Sequence, residues 1–142
     1  MADGAISMFE DVYHFYHWRP ITAINKSNPI PKWEPLKRTP SVPEYPSTPA
    51  ILGSATGKIL QSIFQNNVSV NLNGISYITI SDAARDNAMT KINCGVNFRK
   101  SSEDSMKQGE SIGQFVYENE FLKILPAKSN PKPAKQMAVR IK

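Results

Sequence analysis

Proline placement sets the strongest limit on what this chain can fold into. Eight prolines fall between Pro20 and Pro49, three stand at Pro126, Pro131 and Pro133, and none lies between 50 and 125. Each proline lacks an N–H donor, holds φ near about −65°, and biases the residue before it away from helix. Runs such as Pro29-Ile30-Pro31 and Pro40-Ser41-Val42-Pro43-Glu44-Tyr45-Pro46 therefore predict extended chain without regular hydrogen bonding. The 142 residues are enough for one domain. The division that follows is an extended arm over 1–50, a core over 51–125 and a tail over 126–142.

Inside the proline-free stretch the best local signal is a hairpin. Val68-Ser69-Val70-Asn71-Leu72 leads into Asn73-Gly74 and then Ile75-Ser76-Tyr77-Ile78-Thr79-Ile80. Asn-Gly suits the two positive-φ positions of a type I′ turn, which pairs Leu72 with Ile75 and Val70 with Tyr77. Before it, Ser54 caps a short helix over about 55–66, with Ile59, Leu60, Ile63 and Phe64 as its apolar stripe. After it, Ser81 or Asp82 caps a short helix through Met89. Ile92, Cys94, Val96 and Phe98 then alternate with polar residues, the pattern of a third strand. Residues 100–110 read as a polar loop. Residues 112–125 read as a second hairpin, with a helix as the rival. The fold class expected is mainly β: a small antiparallel sheet or barrel-like core with one or two short helices, a long extended Pro-rich N-terminal arm and a basic C-terminal tail.

Charge follows the same division. The net charge is +5. Residues 39–122 hold six basic against eight acidic side chains, whereas residues 123–142 hold six basic ones and no acid. Tail residues Lys128, Lys132, Lys135, Arg140 and Lys142 are thus the candidate contacts for nucleic acid or an acidic surface. The arm carries Phe9, Tyr13, Phe15, Tyr16, Trp18, Trp33 and Tyr45, seven of the thirteen aromatic residues. Flexible linkers are poor in aromatics, because a ring gains only when buried. Tyr13, Phe15, Tyr16, Trp18 and Trp33 are accordingly expected as partner-binding anchors.

The motifs that would carry chemistry are incomplete. Gly53-Ser54-Ala55-Thr56-Gly57-Lys58 has three residues between its glycines where a phosphate loop has four, and Ile59 follows the lysine. Glu10, His14 and His17 would share a helix face, yet only two histidines and the single Cys94 are present. Asp82 and Asp86 are spaced as a solvated i, i+4 pair. Cys94 falls on the apolar face of the expected strand, where a thiol is inert. No catalytic residue, cofactor site or metal site is assigned, and an enzyme is not expected.

No apolar stretch reaches the ~20 residues needed to span a bilayer, and residues 1–5 lack the features of a secretory signal. Expected locations are the cytoplasm or a virus particle. Pro46-Ser47-Thr48-Pro49 resembles the short proline motifs with which viral matrix proteins recruit budding machinery, without the alanine before the second proline. Taken together these features describe a structural or assembly protein of a large complex, with a virion component (capsid, minor capsid or matrix-like) as the leading setting. Its partners would be other protein subunits, self or hetero, with nucleic acid as a further candidate. The alternative is a basic accessory module binding RNA or single-stranded DNA.

Overall fold

Helix α3 (Thr48–Phe64) runs through the centre of the molecule, with α4 (Ile80–Asn93) and α5 (Arg99–Val116) packed against it. The computed structural model describes residues 2–27, 32–65, 68–121 and 139–140. Helix α1 (Ala2–Val12) lies across α3 and α5, and α2 (Pro20–Ser27) precedes the proline-rich segment. Strands β1 (Val70–Leu72) and β2 (Ile75–Tyr77) form a hairpin between α3 and α4, and β3 (Val139–Arg140) lies parallel to β1. A π-helical turn, Tyr117–Phe121, extends α5.

The fold is a helical bundle, and the expected β core is corrected accordingly. The reason lies in how α5 buries itself. Its buried face is Ser101, Ser102, Ser105, Gly109 and Gly113. Four-residue spacing from Ser101 to Gly113 puts small side chains on one ridge. A Cβ added at Gly109 would collide with the Ile51 carbonyl, and one at Gly113 would come within 2.5 Å of the Ala55 carbonyl. The two helices therefore meet backbone to backbone. Helix α3 repeats the device toward α4. A Cβ at Gly53 would lie 2.8 Å from Asn87 Nδ2, and one at Gly57 would lie 3.1 Å from Ala84 Cβ. The core is correspondingly made of small residues around Ile51, Ala50, Ala55, Ala88 and Val96.

This packing removes several expected elements. Residues 100–110 are helix and not loop, because a serine and glycine face needs no large apolar stripe to be buried. The strand expected over Ile92–Phe98 is the last turn of α4 followed by a turn through Gly95, whose φ is +65°. The hairpin expected over 112–125 is the end of α5 and the π-helical turn up to 121; residues 122–125 lie outside the described set. The arm is not uniformly extended, since 2–12 and 20–27 are helical. On α1, Gly4, Met8 and Val12 recur every four residues and form its buried face. Gln108 Nε2 ties α1 to α5 by donating to Asp11 Oδ2 at 2.8 Å and Ser7 Oγ at 3.1 Å.

Two local expectations match the structure more closely. Leu72 pairs with Ile75 and Val70 with Tyr77, and Asn73 and Gly74 have φ of 53° and 84°, as the turn chemistry requires. The hairpin is nevertheless a surface feature: Leu72 and Ile75 are exposed. Helix α4 begins near the expected place, but its N-cap is Thr79. Thr79 Oγ1 accepts from Asp82 N at 3.1 Å, and Asp82 Oδ2 accepts from Thr79 N at 3.2 Å.

Candidate functional site

The buried polar groups of this protein concentrate where the N-terminal ends of α3 and α5 converge. Three stretches far apart in sequence build this niche: the segment after α1, residues 44–47, and the turn 94–98. Polar backbone and side-chain groups of α2 and of the proline-rich segment find partners on the end of α4 and the turn after it. Ile21 N donates to the Gly95 carbonyl at 3.1 Å and Lys37 N to the Asn93 carbonyl at 3.2 Å. Thr39 Oγ1 donates to the Cys94 carbonyl at 2.7 Å. Trp33 and Pro35 press on Gly95, where a Cβ would stand 3.2 Å from the Trp33 ring.

Glu44 is the centre of the niche. It is 1% exposed, as deeply buried as the apolar core. Its carboxylate Oε1 accepts from Phe98 N at 2.9 Å, at the N-cap of α5, and its carbonyl accepts from Asn97 Nδ2. Its Oε2 stands 3.4 Å from His17 Nδ1, a contact short of a hydrogen bond. The Ser47 N–H, at the N-cap of α3, donates to Ser105 Oγ at 2.8 Å. The Ser47 and Ser102 hydroxyls are buried and unpartnered, as is Glu44 Oε2. Burial pushes the Tyr45 phenol above its usual range, and Asp104, Asp11 and Glu44 push it the same way, with Lys100 opposing.

Of the expected partner-binding residues, Phe15 packs edge-on against Tyr45 at 5.0 Å between ring centres, and Trp33 covers Gly95. Tyr13, Tyr16 and Trp18 are exposed, Tyr16 by 89%, and Lys26 Nζ lies 4.8 Å over the Trp18 ring. Lys128, Lys132, Lys135 and Lys142 lie outside the described residues, and Arg140 is described only as backbone in β3. Glu10, His14 and His17 do not assemble as a metal site: His17 turns to Glu44. The glycine-lysine motif at 53–58 lies inside α3 and forms no loop, and Pro46 to Pro49 is the start of that helix. Cys94 caps α4 and is half-buried. Among the described residues no three His, Cys, Asp or Glu side chains group as metal ligands, and no helix is long and apolar enough to cross a membrane.

Sequence reasoning misses Glu44, Asn97, Ser47, Ser102 and Ser105. One signal points to the first of them. Glu44 is the sole acid between Glu34 and Asp82.

Comparison with known proteins places this architecture. Residues 1–123 match the family model described as the VCPO second helical-bundle domain, and the chain belongs to that family. Among solved structures it is similar to a bacterial vanadium-dependent iodoperoxidase, with a TM-score of 0.76 and 29% sequence identity over 82% of this chain. That alignment spans 30% of the iodoperoxidase chain. No curated protein matches. These findings overturn the expectation of a non-enzymatic virion component, whether capsid, minor capsid or matrix-like, and of a nucleic-acid accessory module. The family model and the solved structure both point to vanadium haloperoxidases, an enzyme family, of which this chain matches one domain.

The iodoperoxidase is vanadium dependent, so the niche must be tested as a home for vanadate. Vanadate is an oxyanion; holding it takes cations and free hydrogen-bond donors. The described groups do not fit. The buried charge is a carboxylate, and its second oxygen faces His17 without a hydrogen bond. Arg19 Nη1 is engaged with the Pro40 carbonyl at 3.3 Å, and the Asn97 amide with the Glu44 carbonyl. Two cavities of the bundle lie elsewhere. One of about 50 Å³ is lined by Ser54, Lys58, Arg85 and Glu110, and the other is a shallow open groove lined by Lys107, Gln114, Phe115 and Glu118.

Proposed function

We propose that this chain works as one domain of a haloperoxidase-type protein, in the peroxide-dependent oxidation of a halide. The observation that carries this reading is the family match over residues 1–123, a bundle corresponding to under a third of a vanadium-dependent iodoperoxidase. A domain of that share works with further protein mass, and the exposed Tyr13, Tyr16 and Trp18 offer a surface for it. The contribution of this bundle is a rigid polar niche at the joined N-termini of α3 and α5. Glu44 and Asn97 hold the segment before α3 to the turn before α5, and Ser105 bridges the two helices.

The experiment is an assay of triiodide formation from iodide and hydrogen peroxide. It uses the full-length protein isolated with the polypeptides that accompany it, with and without added vanadate. A rate above that of the same vanadate without protein is expected. A rate equal to that blank with iodide, bromide and chloride alike would overturn the reading.

A further inference from the structure

We propose that Glu44 is the resident anion of the niche, and that the niche therefore admits no external oxyanion, vanadate included. The N-terminal end of a helix offers free N–H groups and a favourable dipole to an anion. At α5 that place is taken, because Glu44 Oε1 accepts the Phe98 N–H at 2.9 Å. The other carboxylate oxygen faces His17 Nδ1 at 3.4 Å and has no hydrogen bond. That atom needs a donor, whereas an oxyanion brings more acceptors. The buried side-chain donors without a partner here are the neutral hydroxyls of Ser47 and Ser102. A second anion beside a buried carboxylate would meet like-charge repulsion where water cannot screen it. Of the cations near this end, Arg19 is engaged on the Pro40 carbonyl, Lys100 on Asp104 at 2.5 Å, and Arg99 at the start of α5 reaches Met89 Sδ at 3.9 Å.

The inference deepens the haloperoxidase-type reading and rests on it only for the choice of vanadate as probe. If it holds, vanadate used by such a protein is held by groups outside this niche.

The test titrates the full chain with orthovanadate, followed by vanadium-51 NMR, with inorganic phosphate in a parallel melting-temperature series. Neither anion is expected to produce a saturable change that depends on the niche. Saturable vanadate binding that disappears in Ser47→Ala overturns the proposal. Binding that survives Ser47→Ala lies outside the niche and agrees with it. Deleting the resident anion supplies a second arm. In Glu44→Ala, formate is expected to raise the melting temperature saturably and more than an equal concentration of chloride; equal effects of the two salts overturn the proposal. The wild-type and Ser47→Ala titrations together decide the matter whether or not the Glu44→Ala variant folds. Failure of halide oxidation would remove the haloperoxidase-type reading and leave the resident anion standing, and vanadate bound in the niche would do the reverse.

Discussion

The seam between α3 and α5 and the niche at their N-terminal ends belong to the same pair of helices, yet they are closed by opposite means. In the seam, side chains are removed: Gly109 and Gly113 let the backbone of α5 rest on the carbonyls of Ile51 and Ala55. In the niche, side chains are spent: Glu44, Asn97 and Ser105 bridge segments that share no regular hydrogen-bond ladder. The difference teaches what each region tolerates. The seam has no space for an added atom. The niche has no substitute for a lost polar one.

The seam gives the largest expected effect. Gly109→Val would drive a branched side chain into the Ile51 backbone, which cannot rotate away. Overpacking costs about 1–3 kcal/mol in ordinary cores, and a collision with backbone belongs at or beyond the top of that range. Urea denaturation should show the variant largely unfolded in buffer. A midpoint close to wild type would mean that the helices do not meet backbone to backbone, and the contrast with the niche would dissolve.

The niche comes next. Glu44→Ala leaves the Phe98 N–H without its acceptor and removes an anchor of the proline-rich segment. A buried group left unsatisfied costs about 1–3 kcal/mol. The same denaturation experiment should show this loss without loss of helical circular dichroism. A stability unchanged by Glu44→Ala would show that the niche is held by backbone alone.

A smaller effect is expected away from both regions. Gly74 adopts φ of +84° in the exposed hairpin, and a Cβ added there would meet no atom within 4 Å. Gly74→Val would therefore meet only backbone strain, about 1 kcal/mol, and the bundle should stay folded. A loss as large as that of Gly109→Val would mean that the hairpin, and not the seam, organises the core.

The smallest effect concerns pH. Burial and nearby carboxylates raise the Tyr45 phenol above its ordinary value near 10. The folded state thus favours the neutral phenol. The stability this provides is complete below the unfolded value and is lost as pH rises through the folded one. Stability should fall more steeply above pH 10 in wild type than in Tyr45→Phe. Identical slopes would place the Tyr45 phenol in water and not against Phe15 and the carboxylates beside it.

Legibility in the sequence tracks how local each signal is. The hairpin turn at Asn73-Gly74 is specified by two adjacent residues, and its register follows from them. Helix α4 is half legible: its capping box is local, but its continuation to Asn93 runs into the alternating Ile92 to Phe98 pattern that imitates a strand. Helix α5 is illegible to apolar periodicity, because its buried face is serine and glycine and its exposed face includes Phe115. The four-residue spacing of Ser101, Ser105, Gly109 and Gly113 is the signal available, and it reports close approach of backbones, not hydrophobic burial. The aromatic residues after α1 stand out in the sequence as unusual, but Phe15 serves an internal contact with Tyr45. The niche itself joins Glu44 to Phe98 across more than fifty residues. Short-range motifs carry no trace of such a link beyond the isolation of one acid in a proline-rich segment.

The most direct test of the resident anion is a crystal structure of the full chain grown with orthovanadate. If Glu44 fills the niche, its carboxylate will sit on the Phe98 N–H and face His17, and no tetrahedral or trigonal-bipyramidal density will lie between Ser47 and Asn97. Vanadate seated there, with Glu44 displaced from Phe98, would contradict it.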